Sequence, residues 1–127
     1  MSNIKSYKDL IVWQKAHEND VMIIELIEDF ENCISLNVIG RQLMKSITSI
    51  SANIAEGHSS FVGKEYLTFL NYVLRSAYES DNWLTLLIDS SRLSGKYDQA
   101  LLQSIRSRNI KVIKMLSTII KKLRKNL

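Results

Sequence analysis

The chain contains no proline and only four glycines in 127 residues. Proline fixes its backbone dihedral and removes an amide donor, so it ends or kinks helices, and glycine is the next strongest interruption. A chain with so little of either is predicted to form long, uninterrupted helices. At this length it is expected to be one domain, residues 1–127, with a core that needs no staples.

Hydrophobic periodicity divides the chain into four helical segments. The first follows Ser6, which can cap free amides with Asp9 three residues on in a capping-box-like pattern, and runs to about Phe30. Leu10, Trp13, Ala16, Ile23, Ile24, Ile27 and Phe30 mark its inward side. The second starts after Ser35 or Asn37 and carries the stripe Leu36, Ile39, Leu43, Ile47, Ile50, Ile54. The small residues Ser46, Ser49, Ala52 and Asn53 run beside it and permit close approach of another helix. Gly57 suits the left-handed position that ends a helix. Ser59 or Ser60 can cap the third segment, which keeps helical spacing from Tyr66 to about Arg92 before Ser94 and Gly95 break it. The fourth runs from about Tyr97, with Leu101, Ile105, Val112, Met115, Leu116, Ile119, Ile120 and Leu123 as its stripe. Four long helices with short links predict an all-α, antiparallel up-down four-helix bundle.

Charge is unevenly placed. Residues 1–31 hold three lysines against seven acids, whereas residues 99–127 hold eight bases and no acid. Such asymmetry suggests either packing between the unlike segments or a polyanionic partner. The eight bases are Arg106, Arg108, Lys111, Lys114, Lys121, Lys122, Arg124 and Lys125. All eight are candidate nucleic-acid contacts, and Arg108, Lys111, Lys114, Lys121, Lys122 and Lys125 fall largely on the faces left by the apolar stripe, where they can contact phosphates with little sequence selectivity. The same face can equally be a solvated one that pairs with the acidic first helix. Aromatic interleaving is absent from this helix, which argues against single-strand stacking.

Catalytic signals are sparse. In "SISANIAEGHSS", Ser49–Ser60, Glu56 beside His58 would be an acid or base, but Asn53 and Glu56 also lie one turn apart as ordinary helix-end or interhelical groups. His17 and His58 are too few for the usual metal sites, and Glu-x-x-His repeats are absent. An arginine four to six residues before either histidine is missing, as are glycine-rich phosphate loops. Cys33 follows an acidic tail, a poor setting for a thiolate; a single cysteine suits a reducing cytoplasm. The N-terminal "MSNIKSYKDL" has no apolar signal core, and the apolar runs are far too short to suggest a membrane span. These features predict no enzyme activity, no cofactor and no metal. Trp13 and Trp83 read as packing rather than as base-stacking platforms.

Four segments occur in one order: "VWQKA" at 12–16, "SISANIAEG" at 49–57, "KEYLTFL" at 64–70 and "SAYES" at 76–80. Together they resemble the four-helix-bundle family first noticed in intervening sequences of bacterial 23S ribosomal RNA genes, often labelled the S23 ribosomal protein family. The resemblance covers nearly the whole chain, and "NIAEG" is its most specific part. It implies an up-down bundle assembling as a pentamer, with no established catalysis. It also implies a distant likeness to the basic accessory protein of diversity-generating retroelements, and so a nucleic acid or a reverse transcriptase as partner. Asn53, Glu56, Gly57 and Glu79 match its motif positions; Glu79 is expected to pair with Arg41 or Lys45. Ser51 departs from the family pattern, which usually has proline there, so any kink is weakened. The label "ribosomal" implies no ribosomal role. The expected function is a non-catalytic oligomeric binding or scaffold module for RNA, DNA or a nucleic-acid enzyme. The alternative is a pure protein–protein assembly unit. A surplus of apolar residues on the third helix, Tyr66, Phe69, Tyr72 and Val73, points to self-association.

Overall fold

A computed structural model describes residues 5–60, 63–90 and 96–127. Among these there are four α-helices and no strand: α1 Ile11–Glu28, α2 Ile34–Ser60, α3 Gly63–Asp89 and α4 Lys96–Lys125. The helices pack in chain order and α4 closes on α1. Cross-helix pairs give the direction. Ser46 meets Ser80 while Ser49 meets Ser76, so α2 and α3 run antiparallel. Asn109 meets Ala77 and Arg106 meets Asp81, so α3 and α4 do too. The architecture is therefore the up-down bundle that the periodicity predicts.

The core is a seam of aliphatic side chains from all four helices, including Ile23, Leu26, Leu43, Ile50, Leu70, Leu84, Leu102 and Leu116, each fully buried. Each contributes roughly 1.5–3 kcal/mol by leaving water. Two asparagines share this seam. Asn19 of α1 donates to the Ile105 carbonyl of α4 at 3.2 Å, and Asn109 of α4 donates to the Ala77 carbonyl of α3 at 2.9 Å. Both occupy positions where a helical stripe demands an inward residue. The true stripes are Val12, Ala16, Asn19, Ile23, Leu26 on α1 and Leu102, Ile105, Asn109, Val112, Leu116, Ile120 on α4.

Several sequence expectations are corrected. The Ser6–Asp9 capping box exists, but it caps a short 3₁₀ turn, Tyr7–Asp9; the chain is extended at Leu10 before α1 begins. Ile24 is half exposed, because the Val12–Leu26 stripe turns it outward. Gly57 does not end α2. It is buried inside a helix that continues to Ser60. A Cβ placed there would stand 2.7 Å from the Phe69 Cβ, so the glycine lets α2 and α3 approach closely. The left-handed glycine is instead Gly63, with φ +37°, at the start of α3. The Ser59 hydroxyl donates to the Glu56 carbonyl within α2, and the Ser60 side chain, the other expected cap, lies outside the described residues. Tyr66 and Val73 are buried in the bundle rather than surplus to it, Phe69 is half-buried against Gly57, and Tyr72 remains exposed. The break expected at Arg92–Gly95 lies outside the described residues.

Candidate nucleic-acid interface and motif groove

α4 is the chain's basic element, and the bundle sorts its cations by position. Arg106 forms an ion pair with Asp81 of α3, Nε to Oδ1 at 3.0 Å. Arg108 reaches α1: its Nε lies 3.2 Å from Glu18 Oε2, and its Nη1 donates to Asn19 Oδ1 at 2.9 Å. The Arg108 side chain is only 18% exposed. These two arginines bind the bundle together, and part of the charge asymmetry between first and last segments is spent in that packing.

The remaining bases stand further along α4. Lys111, Lys114, Lys121, Lys122 and Lys125 are exposed and make no ion pair among the described residues. Arg124 is exposed and donates to Asn71 Oδ1 of α3 at 3.4 Å. Helical spacing divides the lysines into rows. Lys114, Lys121 and Lys125 follow at seven and four residues, spanning about 16 Å. Lys111 and Lys122, eleven apart, align with Met115 and Thr118 on another row. On the α3 side, Lys121, Arg124 and Lys125 rim an open groove of about 570 Å³, with Leu74 and Ile120 in its lining. Such a rim presents positive charge to phosphate without selecting a sequence.

The motif residues gather elsewhere. Asn53 of α2 and Glu79 of α3 line one open groove of about 400 Å³, with Tyr72, Arg75 and Ser76. Two sequence segments singled out separately therefore meet across the α2–α3 seam. Within the groove the groups serve their own helices. Asn53 Nδ2 donates to the Ser49 carbonyl at 2.8 Å, and the Arg75 guanidinium sits 5.8 Å from the Tyr72 ring centre. Glu79 does not pair with Arg41 or Lys45; its Oε2 accepts from the Trp83 indole at 3.2 Å, one turn on. Arg41 and Lys45 border a different groove, toward Phe30 and Gly40 at the α1–α2 turn. Glu56 is exposed and does not line the motif groove.

Sequence reading missed one buried carboxyl. Asp20 of α1 accepts from the Ser51 hydroxyl of α2 through Oδ2 at 2.5 Å, while its Oδ1 is buried with no hydrogen-bond partner. Burial raises its pKa to about 6, against smaller downward effects of the Ser51 hydroxyl and His17. The only signal was Ser51 itself, the residue that departs from the family pattern. His17 stacks on Trp13 with ring centres 4.6 Å apart. No cluster of three metal-ligating side chains occurs among the described residues. No helix among them is long and apolar enough to cross a membrane.

Comparison with known proteins agrees with this geometry. A crystal structure of a protein of unknown function from the S23 ribosomal protein family, from Bacteroides thetaiotaomicron, superposes with a TM-score of 0.75 at 29% identity. The match covers 87% of this chain and 99% of that one. No curated protein matches the chain. The family described as "23S rRNA-intervening sequence protein" matches residues 8–118, which include α1, α2, α3 and most of α4. The chain belongs to the 23S rRNA-intervening sequence protein family.

Proposed function

We propose that the protein is a non-catalytic, self-assembling bundle whose α4 surface binds RNA or DNA through backbone phosphates. One observation carries this reading. The fold uses Arg106 and Arg108 in interhelical bonds but leaves five lysines of the same helix exposed and without an ion partner among the described residues. A helix that served only to complement acidic α1 would direct its cations there. Phosphate contact by such a row is electrostatic and largely blind to sequence. Five copies, the number the resemblance implies, would multiply the patch. A nucleic-acid enzyme such as a reverse transcriptase fits as a further partner.

A second reading, assembly without nucleic acid, is favoured by the exposed apolar side chains Val21, Ile24, Ile34 and Val38 on α1 and α2. Titration of the intact protein with labelled RNA and with duplex DNA at two salt concentrations separates the readings. The proposal predicts binding of both at low salt and steep loss at high salt. No detectable binding at low salt leaves assembly alone.

A further inference from the structure

Residues 98–125 of α4 contain no aromatic residue. Taken alone, this stretch lacks the stacking platform on which single-strand binders seat their bases. The neighbouring helix offers one. Tyr78 of α3 is 57% exposed, so more than half of the residue is open to solvent. Its place on the helix follows from its neighbours. Ala77 accepts from Asn109 of α4, and Asp81 pairs with Arg106 of α4. Leu74, one turn before Tyr78, and Asn71, two turns before, line the groove shared with α4. Tyr78 therefore stands on the α4 edge of α3, about 10 Å along the axis from Asn71.

From Tyr78 the edge leads into the groove, past Leu74 to Asn71, with Ile120 across from them and Lys121, Arg124 and Lys125 at the rim. Arg124 has five N–H donors and gives one to Asn71, so most of the fork stays available. An aromatic face, an apolar lining and three cations thus follow one another on a single edge. An unpaired nucleotide offers the complement: an open base face, a sugar and a phosphate. A duplex closes its base faces within its own stack and offers only phosphates.

We infer that the α3–α4 edge takes single-stranded nucleic acid, with an unpaired base on Tyr78 and the adjoining phosphates on Lys121, Arg124 and Lys125. The inference rests on the polyanion reading above and narrows it. Short labelled oligouridylate and oligothymidylate, and duplexes made from them with oligoadenylate or oligodeoxyadenylate, are titrated at low salt against the full chain. The native protein is expected to bind the single strands more tightly than the duplexes. Tyr78→Ala should weaken single-strand binding about fivefold or more, the loss of one stacked base, and leave duplex binding unchanged. Tyr78→Phe, which keeps the ring, should retain native binding. Lys121→Gln with Lys125→Gln should weaken single strands and duplexes alike. Helical content by circular dichroism confirms that each variant is folded. Equal affinity of the native protein for both forms overturns the inference, as does unchanged single-strand binding by Tyr78→Ala; duplex binding then keeps the polyanion reading alive. Failure of every probe to bind overturns both.

Discussion

Gly57 of α2 faces Phe69 of α3 so closely that an added Cβ would lie 2.7 Å from the Phe69 Cβ and 3.1 Å from its Cγ. The first of these atoms is fixed to the α3 backbone and cannot rotate away. Substitution here forces the helices apart, and overpacking of this kind costs about 1–3 kcal/mol. Gly57→Ala should lower the melting temperature even though alanine is the better helix former by about 1 kcal/mol. Gly57→Val should lower it further. Phe69→Ala should not rescue either variant, since the nearest atom remains. Thermal melts of the two single and two double variants check this.

Asp20 gives the bundle a pH dependence of unusual sign. Its ordinary value of 3.8, which applies to the unfolded chain, rises to about 6 in the fold, chiefly because burial penalises the charge. Above about pH 6 the carboxylate is ionised in both states, and the fold carries the cost of burying it. As pH falls from about 6 toward 4 the folded state takes up the proton before the unfolded one does, so this group adds stability on acidification. Asp20→Asn should raise stability at pH 8 and flatten that part of the profile. Ser51→Ala removes the hydroxyl that holds the pKa down, so it should lower stability at pH 8. Denaturant midpoints measured from pH 4 to 8 test both; an unchanged slope in Asp20→Asn would exclude the account.

Two cations on one helix should behave oppositely. Arg108 is mostly buried, with Glu18 and Asn19 as partners, whereas Lys114 is exposed. Arg108→Gln leaves Asn19 short of a donor inside the seam and should cost about 1–3 kcal/mol. Lys114→Gln should change stability by less than about 0.5 kcal/mol. Chemical denaturation of the two variants side by side distinguishes bases that hold the bundle from bases that face outward.

The four helices were legible because long stretches keep their period and nothing interrupts them. The errors have physical causes. Asn19 and Asn109 are polar residues at inward positions, each donating its amide to a carbonyl of a neighbouring helix, and a hydrophobicity pattern cannot register them. The α1 stripe consequently shifted toward Ile24, and the α4 stripe lost Leu102. Glycine before a polar stretch suits a helix end, so the sequence around Gly57 reads as a terminator; only the position of Phe69 reveals the close approach. Arg106 and Arg108 look like Lys121 and Lys125 in sequence, and only the acids opposite them set them apart. The meeting of Asn53 with Glu79 depends on the α2–α3 register, which the paired serines make visible.

Self-assembly has a direct readout. Light scattering at micromolar concentration should return a multiple of 14.6 kDa, five-fold if the implied pentamer holds. Ile24→Glu, a change on the exposed side of α1, should reduce that mass without unfolding the bundle. A native mass of one chain would remove the assembly part of the account.

The sharpest test of the central claim is the salt dependence of RNA binding by the native protein and by Lys114→Gln/Lys121→Gln/Lys125→Gln. Each phosphate contact releases a counterion, so the logarithm of the binding constant should fall linearly with the logarithm of salt concentration. The account predicts a steep native slope that flattens by about one unit per lysine removed, with weaker binding to every sequence and an unchanged melting temperature. A variant that binds with the native slope would contradict it.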